Sequence, residues 1–249
     1  MSEEGPGDAE LAPAYYAAPG GRWRQWWSVL HPPYTAWHLS YVVIGSCLAP
    51  TVSLVPLLAT LGAFALAVGV AAHAIDECHG RPLRTTLRRR TLLGVAGVAL
   101  LGAVVLGVLG VVREGLVLVP AIAVGVVVVV AYSAELFGGV VHTDLGFALC
   151  WGAFPVLVGY LAQAERLSVP AVLAALGAVA ISLAQRRLST AARTLRRRIR
   201  SLEGTVRYVD GREHALRRAE LLRPLEGSLR ALAWGMTGLA ASLAVARLC

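Results

Sequence analysis

The sequence predicts an all-α, polytopic bundle of membrane-spanning helices. Three observations predict it. Apolar runs of roughly 20 residues recur along the chain, the length a helix needs to cross a hydrocarbon core of about 30 Å. Mean hydropathy is +0.64 and only 15% of residues are charged, where a soluble domain carries more charge and breaks its apolar runs sooner. The runs are also too long and too continuously apolar for core strands.

Seven spans are expected, at about 34–50, 52–75, 91–112, 116–135, 144–163, 168–188 and 228–248. The first is short and ends at Pro50. Ahead of it, Arg22-Trp-Arg-Gln-Trp-Trp-Ser-Val-Leu30 mixes Trp and Arg, which suit the membrane–water interface. Residues 1–21 are acidic and rich in Pro, Gly and Ala. They predict a disordered tail, not a signal peptide, leaving 22–249 as one transmembrane domain. The segment 189–227 is the one sizeable polar stretch between spans. Its arginines alternate with Leu195, Ile199 and Leu202, a pattern expected of an amphipathic helix on an anionic inner leaflet. Asp210-Gly211 marks a turn, with a second polar helix after it.

All 23 basic residues are arginine, and the net charge is +8. A basic chain raises the question of nucleic acid, but the distribution answers it. With the N-terminus in the cytoplasm, twenty arginines fall in cytoplasmic segments and only Arg113, Arg166 and Arg247 fall outside. That asymmetry is the positive-inside bias of a multi-pass protein of the cell membrane, with its C-terminus outward and no nucleic-acid partner. Cys47, Cys78, Cys150 and Cys249 lie far apart and form neither a zinc pattern nor a disulfide framework.

Ionisable residues near membrane depth are costly and default to functional candidates. Here they gather at the cytoplasmic ends of spans. His73, Asp76, Glu77 and His79 end span 2, Tyr132 and Glu135 end span 4, His142 and Asp144 open span 5, and Gln185 closes span 6. His73, Asp76 and Glu77 share one helix face. Taken singly, each reads as an interfacial cap meeting lipid headgroups; taken together they read as a site. The carboxylates suit Mg²⁺, which is bound with substrate phosphates, while His73, His79 and His142 with carboxylates suit Fe, Mn or Zn. Clustering at one end, away from the midplane, argues against a transporter.

At these residues the chain resembles the UbiA-type intramembrane prenyltransferase superfamily. An acidic motif ends span 2, Arg81-Pro82-Leu83 follows, span 3 opens Arg-rich, Tyr132-Ser133 ends span 4, and Asp144 to Tyr160 is similar to the family's fifth helix. The likeness covers about residues 22–200. It implies a helical bundle around a lipid-accessible cavity, a prenyl diphosphate substrate, Mg²⁺, and transfer of the prenyl group to a hydrophobic acceptor or its cyclisation. On that reading Asp76 and Glu77 are Mg²⁺ ligands, and Arg81, Arg84 and Tyr132 bind diphosphate. His73, His79, Glu135, His142 and Asp144 supply further ligands or a general base. The sequence departs from the family at two motifs. His73-Ala-Ile-Asp-Glu-Cys-His-Gly-Arg81 stands where the family has Asn-Asp-x-x-Asp-x-x-x-Asp. Ser189 to Arg198 carries no carboxylate where the family has a second Asp-rich motif, and the family commonly has nine spans. Two other readings therefore stand beside the enzyme: a non-catalytic isoprenoid-binding or scaffold protein, and a different metal-dependent membrane enzyme using the histidines.

Overall fold

The computed structural model describes residues 11–18 and 20–249. The expectation of a disordered tail over 1–21 falls partly on 1–10 and 19, outside the described residues; of the rest, 11–18 pack against the bundle and Gly20 and Gly21 are exposed. Eight helices carry the fold: α1 (Arg22–Val29), α2 (Pro32–Cys47), α3 (Leu54–Glu77), α4 (Arg89–Glu114), α5 (Leu116–Ser133), α6 (Asp144–Leu161), α7 (Val169–Arg197) and α8 (Arg218–Leu248). Among the described residues, the last six, α3 to α8, are long and apolar enough to cross a membrane. α4 shows why they need lipid. Val98, Leu101 and Val112 on it are 75%, 65% and 81% exposed, an apolar face that water does not favour.

α2 is shorter but the most enclosed. Trp37, Tyr41 and Val42 are buried, and backbone meets backbone at Gly45 and Gly159. A Cβ at Gly45 would stand 2.0 Å from the Val156 carbonyl oxygen, and one at Gly159 would stand 2.3 Å from that of Val42. Such close approach is how helices associate where no hydrophobic drive operates between them. α2 runs parallel to both α6 and α8. His38 meets Trp151 and Ser46 meets Gly159 along α6; Ser40 meets Thr237 and Ala49 meets Arg247 along α8. At its start His31 stacks on His73 at the end of α3, so α2 reaches from one end of the bundle to the other.

The polar stretch 189–227 differs from its expectation. No helix breaker stands between Leu188 and Arg197, so α7 continues through it, with Ser182, Gln185, Ser189, Ala192 and Leu195 as one buried stripe. Protein covers one face of that extension and leaves Thr190, Ala191 and Thr194 exposed. α8 begins at Arg218, and its Glu226 pairs with Arg196 of α7. Between them lies a hairpin, β1 (Thr205–Arg207) antiparallel to β2 (Glu213–Ala215), turned by Asp210-Gly211.

Candidate functional site

The polar ends of α2, α3, α5, α6, α7 and α8 surround a cavity of about 490 Å³. The strap 11–18 lies at it, with Pro13, Ala14, Tyr15 and Tyr16 in the lining. Most of the sequence candidates meet here: His73, Asp76, His79, Tyr132, Glu135, His142 and Asp144 all line it. Two ring stacks set its walls. His31 lies on His73 at 4.3 Å, and His142 lies on Tyr132 at 4.4 Å while its Nδ1 stands 3.1 Å from the Tyr132 carbonyl oxygen. Glu135 and Phe137 adopt left-handed backbone, strain of the kind that clusters at functional sites.

Three candidates lie elsewhere. Glu77 is fully buried and its carboxylate belongs to the following loop. It accepts from the Leu83 and Thr85 backbone N–H groups at 3.0 Å each and from the Thr85 hydroxyl at 2.8 Å. Those bonds hold a loop in which Arg81 and Arg84 take left-handed backbone. Arg81 donates to the Thr85 carbonyl at 3.0 Å, and neither it nor Arg84 lines the cavity. The reason is the returning chain: Leu83 and Thr85 fold over the helix end and enclose the Glu77 carboxylate before it can reach the cavity.

The cations that do reach the cavity come from α7. Arg186 pairs with Asp144 at 3.1 Å and lies over the Phe147 ring. Arg196 pairs with Glu226. Arg193 and Arg197 have no carboxylate within ion-pair distance among the described residues. Arg193 donates to the Ser189 carbonyl and the Thr190 hydroxyl, and Arg197 to the Pro13 carbonyl. Asp76 has no hydrogen-bond or ion-pair partner among the described residues and lies within electrostatic reach of both arginines. Among the described residues, the buried side-chain atoms without a partner are the Tyr15 hydroxyl, the Tyr132 hydroxyl and the Gln185 amide oxygen. All three belong to residues lining this cavity. Outside the spans, burial pushes the Tyr16 hydroxyl well up and the His31 imidazole well down, so the 2.9 Å bond between them joins two neutral groups.

Neither a protein-family model nor a curated protein nor a solved structure matches this chain. What the site does chemically follows from its own geometry.

A second cavity, of about 270 Å³, adjoins the first. Its walls are apolar residues of α3, α4, α5 and α6, from Val68, Phe64 and Phe154 out to Val55 and Leu109. Val68 and Trp151 line both cavities. Each sits on a widened, π-type turn, Ala65–Ala72 in α3 and Leu149–Ala153 in α6. Such turns are frequent at functional sites, and His38 caps the Trp151 carbonyl at 2.9 Å.

A resident metal does not fit the donor set. Among the described residues no three His, Cys, Asp or Glu side chains stand close enough to hold an ion, and Glu77 is committed to its loop. The residues that the sequence did not single out as site residues are Arg193, Arg197, Tyr15, Tyr16, His31, His38 and Trp151. One signal was present. Arg186, Arg193 and Arg197 recur at seven and four residues, which puts them on one helix face.

Proposed function

We propose that this chain is a divergent UbiA-type membrane enzyme acting on a prenyl diphosphate, with the head in the polar cavity and the chain in the apolar one. The observation that carries the reading is that the two cavities share Val68 and Trp151 as wall residues: a chamber lined by the α7 arginines beside an apolar groove suits an anionic head on an apolar tail. We place seven crossings in the cell membrane, α2 included, because α2 runs beside α6 and α8 from end to end. The N-terminus and the cavity then face the cytoplasm and the C-terminus faces outward, in line with the arginine distribution.

The chemistry follows from the groups present. Ionisation breaks the allylic C–O bond, and both electrons leave with the diphosphate. Guanidiniums beside the leaving group neutralise the charge it gains. Apolar walls keep water from the allylic cation. When a hydrophobic acceptor or a carbon of the same chain captures the cation, a proton is lost, and the unpartnered Asp76 carboxylate receives it.

Diphosphate release from geranyl, farnesyl and geranylgeranyl diphosphates, measured on protein in nanodiscs with candidate acceptors, tests this beside Asp76→Asn. Release that the variant abolishes supports the enzyme. A second reading, a non-catalytic isoprenoid carrier, is favoured by one observation: the Glu77 carboxylate, expected at the reaction centre, is sealed in a loop. Tight prenyl diphosphate binding with no release by the wild type would select that reading. Neither binding nor release would sink both.

A further inference from the structure

We infer that the diphosphate head is gripped directly by the guanidinium groups of Arg193 and Arg197, with no divalent cation between it and the protein. This rests on the prenyl diphosphate reading above and adds to it the chemistry of the head site.

The two arginines stand one turn apart on α7, both in the cavity lining. Both guanidiniums are half-buried, and a partly desolvated cation without an ion-paired carboxylate favours an anionic partner. Each guanidinium has five N–H donors. Arg193 uses one on its own helix carbonyl and one on Thr190, and Arg197 spends one on Pro13. The remaining donors have no protein acceptor among the described residues. Forked guanidiniums match phosphate oxygens two bonds at a time.

The neighbouring orphans point the same way. The Tyr132 hydroxyl and the Gln185 amide have buried atoms with no partner, although Tyr132 is 6% and Gln185 4% exposed. A hydroxyl donates to a phosphate oxygen, and an amide turned about its last torsion presents its NH₂ there. Buried polar atoms are otherwise nearly always satisfied, so polar groups free to bond beside two half-buried guanidiniums suit an anion.

The carboxylates argue against a bridging cation. Glu77 is bound by three loop donors, and Asp144 holds Arg186. Among the described residues Asp76 has no partner, and Glu135 meets only His142, at 4.0 Å. A divalent ion on it would lie within electrostatic reach of two guanidiniums of its own sign. An anion beside the two guanidiniums is attracted by both, while a cation there is repelled by both. The electrostatic work that a metal performs on a leaving diphosphate is here assigned to α7.

The test is equilibrium binding of geranylgeranyl S-thiolodiphosphate, which resists ionisation, to the full chain in nanodiscs. It is run in Mg²⁺ and again in EDTA. The expected result is the same affinity in both, within about twofold, and a loss of roughly ten- to hundredfold in Arg193→Gln and Arg197→Gln. Arg212→Gln, on the hairpin, is expected to bind as the wild type does. Thermal unfolding of each variant accompanies the titration. Should the arginine variants unfold, Tyr132→Phe carries the test, since it deletes an unpartnered hydroxyl and is expected to weaken binding about tenfold. Binding lost in EDTA and restored by Mg²⁺ would overturn the inference while leaving the proposed function in place. Wild-type affinity in folded arginine variants would also overturn it. Absence of binding under both conditions would remove the prenyl diphosphate reading itself.

Discussion

Glu77 and Thr85 hold each other twice: the Glu77 carboxylate accepts from the Thr85 backbone N–H at 3.0 Å and from its hydroxyl at 2.8 Å. A third bond, from the Leu83 N–H, completes a buried carboxylate whose lone pairs are spent on one loop. Its neighbour Asp76 lines the cavity and holds nothing. Two adjacent acids thus have different surroundings, Glu77 the loop and Asp76 the cavity.

Substitution separates the two acids. Glu77→Ala strands two backbone N–H groups and is expected to cost about 3–5 kcal/mol, since each hydrogen bond to a buried charge is worth roughly 1.5–3 kcal/mol and the effects are not additive. Asp76→Asn is expected to leave stability unchanged or slightly raised and to abolish diphosphate release. Unfolding in detergent, followed beside turnover, checks both. A Glu77→Ala protein that is as stable as the wild type but inactive would return Glu77 to the reaction centre.

Tyr132→Phe is expected to move stability and binding in opposite directions. The hydroxyl is buried without a partner, so its removal lifts a desolvation penalty and raises the unliganded protein's melting temperature slightly. The same change deprives a bound anion of a donor and weakens it. A tyrosine that served only packing would lose neither binding nor hydroxyl-dependent specificity, so a variant with unchanged affinity would assign Tyr132 to the wall alone.

The helices and the polar end of the bundle were legible in the sequence because lipid exposure forces long apolar runs and pushes charge to their ends. His73, Asp76, Tyr132, His142 and Asp144 met in space for that reason. Glu77 was not legible. Its role depends on a loop returning to it from six and eight residues on, and spacing alone cannot distinguish a ligand from a staple. Arg193 and Arg197 were read as leaflet anchors because hydropathy falls after Leu188. Hydropathy marks where lipid ends and says nothing of where a helix covered by protein continues. α2 was placed nearly in full, yet its position at the centre rests on Gly45 and Gly159, whose importance shows only in the partner backbone each approaches.

Acid is expected to destabilise the protein through His31. Burial holds this imidazole well below its ordinary range. His73, Arg197, Arg193 and His38 around it push the same way, and the Tyr16 hydroxyl bonds its Nδ1. The unfolded chain takes up a proton as pH falls through about 6.5, and the folded chain does not. Stability is therefore unaffected above that pH and declines below it until the folded value is reached. His31→Asn keeps a residue tolerant of the left-handed backbone found there, φ 46°. Melting temperature followed from pH 7.5 to 5 is expected to fall less steeply in the variant, and an identical slope would assign the acid sensitivity elsewhere.

The strap at the cavity should set the rate of ligand entry. Arg197 donates to the Pro13 carbonyl and Arg196 to the Ala12 carbonyl, each at 3.0 Å. Tyr15 lies under the Arg230 guanidinium, 4.9 Å from the ring centre, and Tyr16 bonds His31. The Pro13 carbonyl thus occupies one of the donors that a diphosphate would take, so the strap and the ligand compete for Arg197. Replacing both tyrosines by alanine removes the aromatic anchors and leaves the two carbonyl contacts and the Ala18 N–H bond to the Ser28 hydroxyl. Association of geranylgeranyl S-thiolodiphosphate, followed by rapid mixing, is expected to accelerate about tenfold in the double variant, as it does where binding no longer waits on a rearrangement. Dissociation should accelerate as well, because the same segment covers the bound head. An unchanged association rate would mean that the ligand enters sideways from the bilayer, between α3 and α5, and that the strap closes a door the ligand does not use.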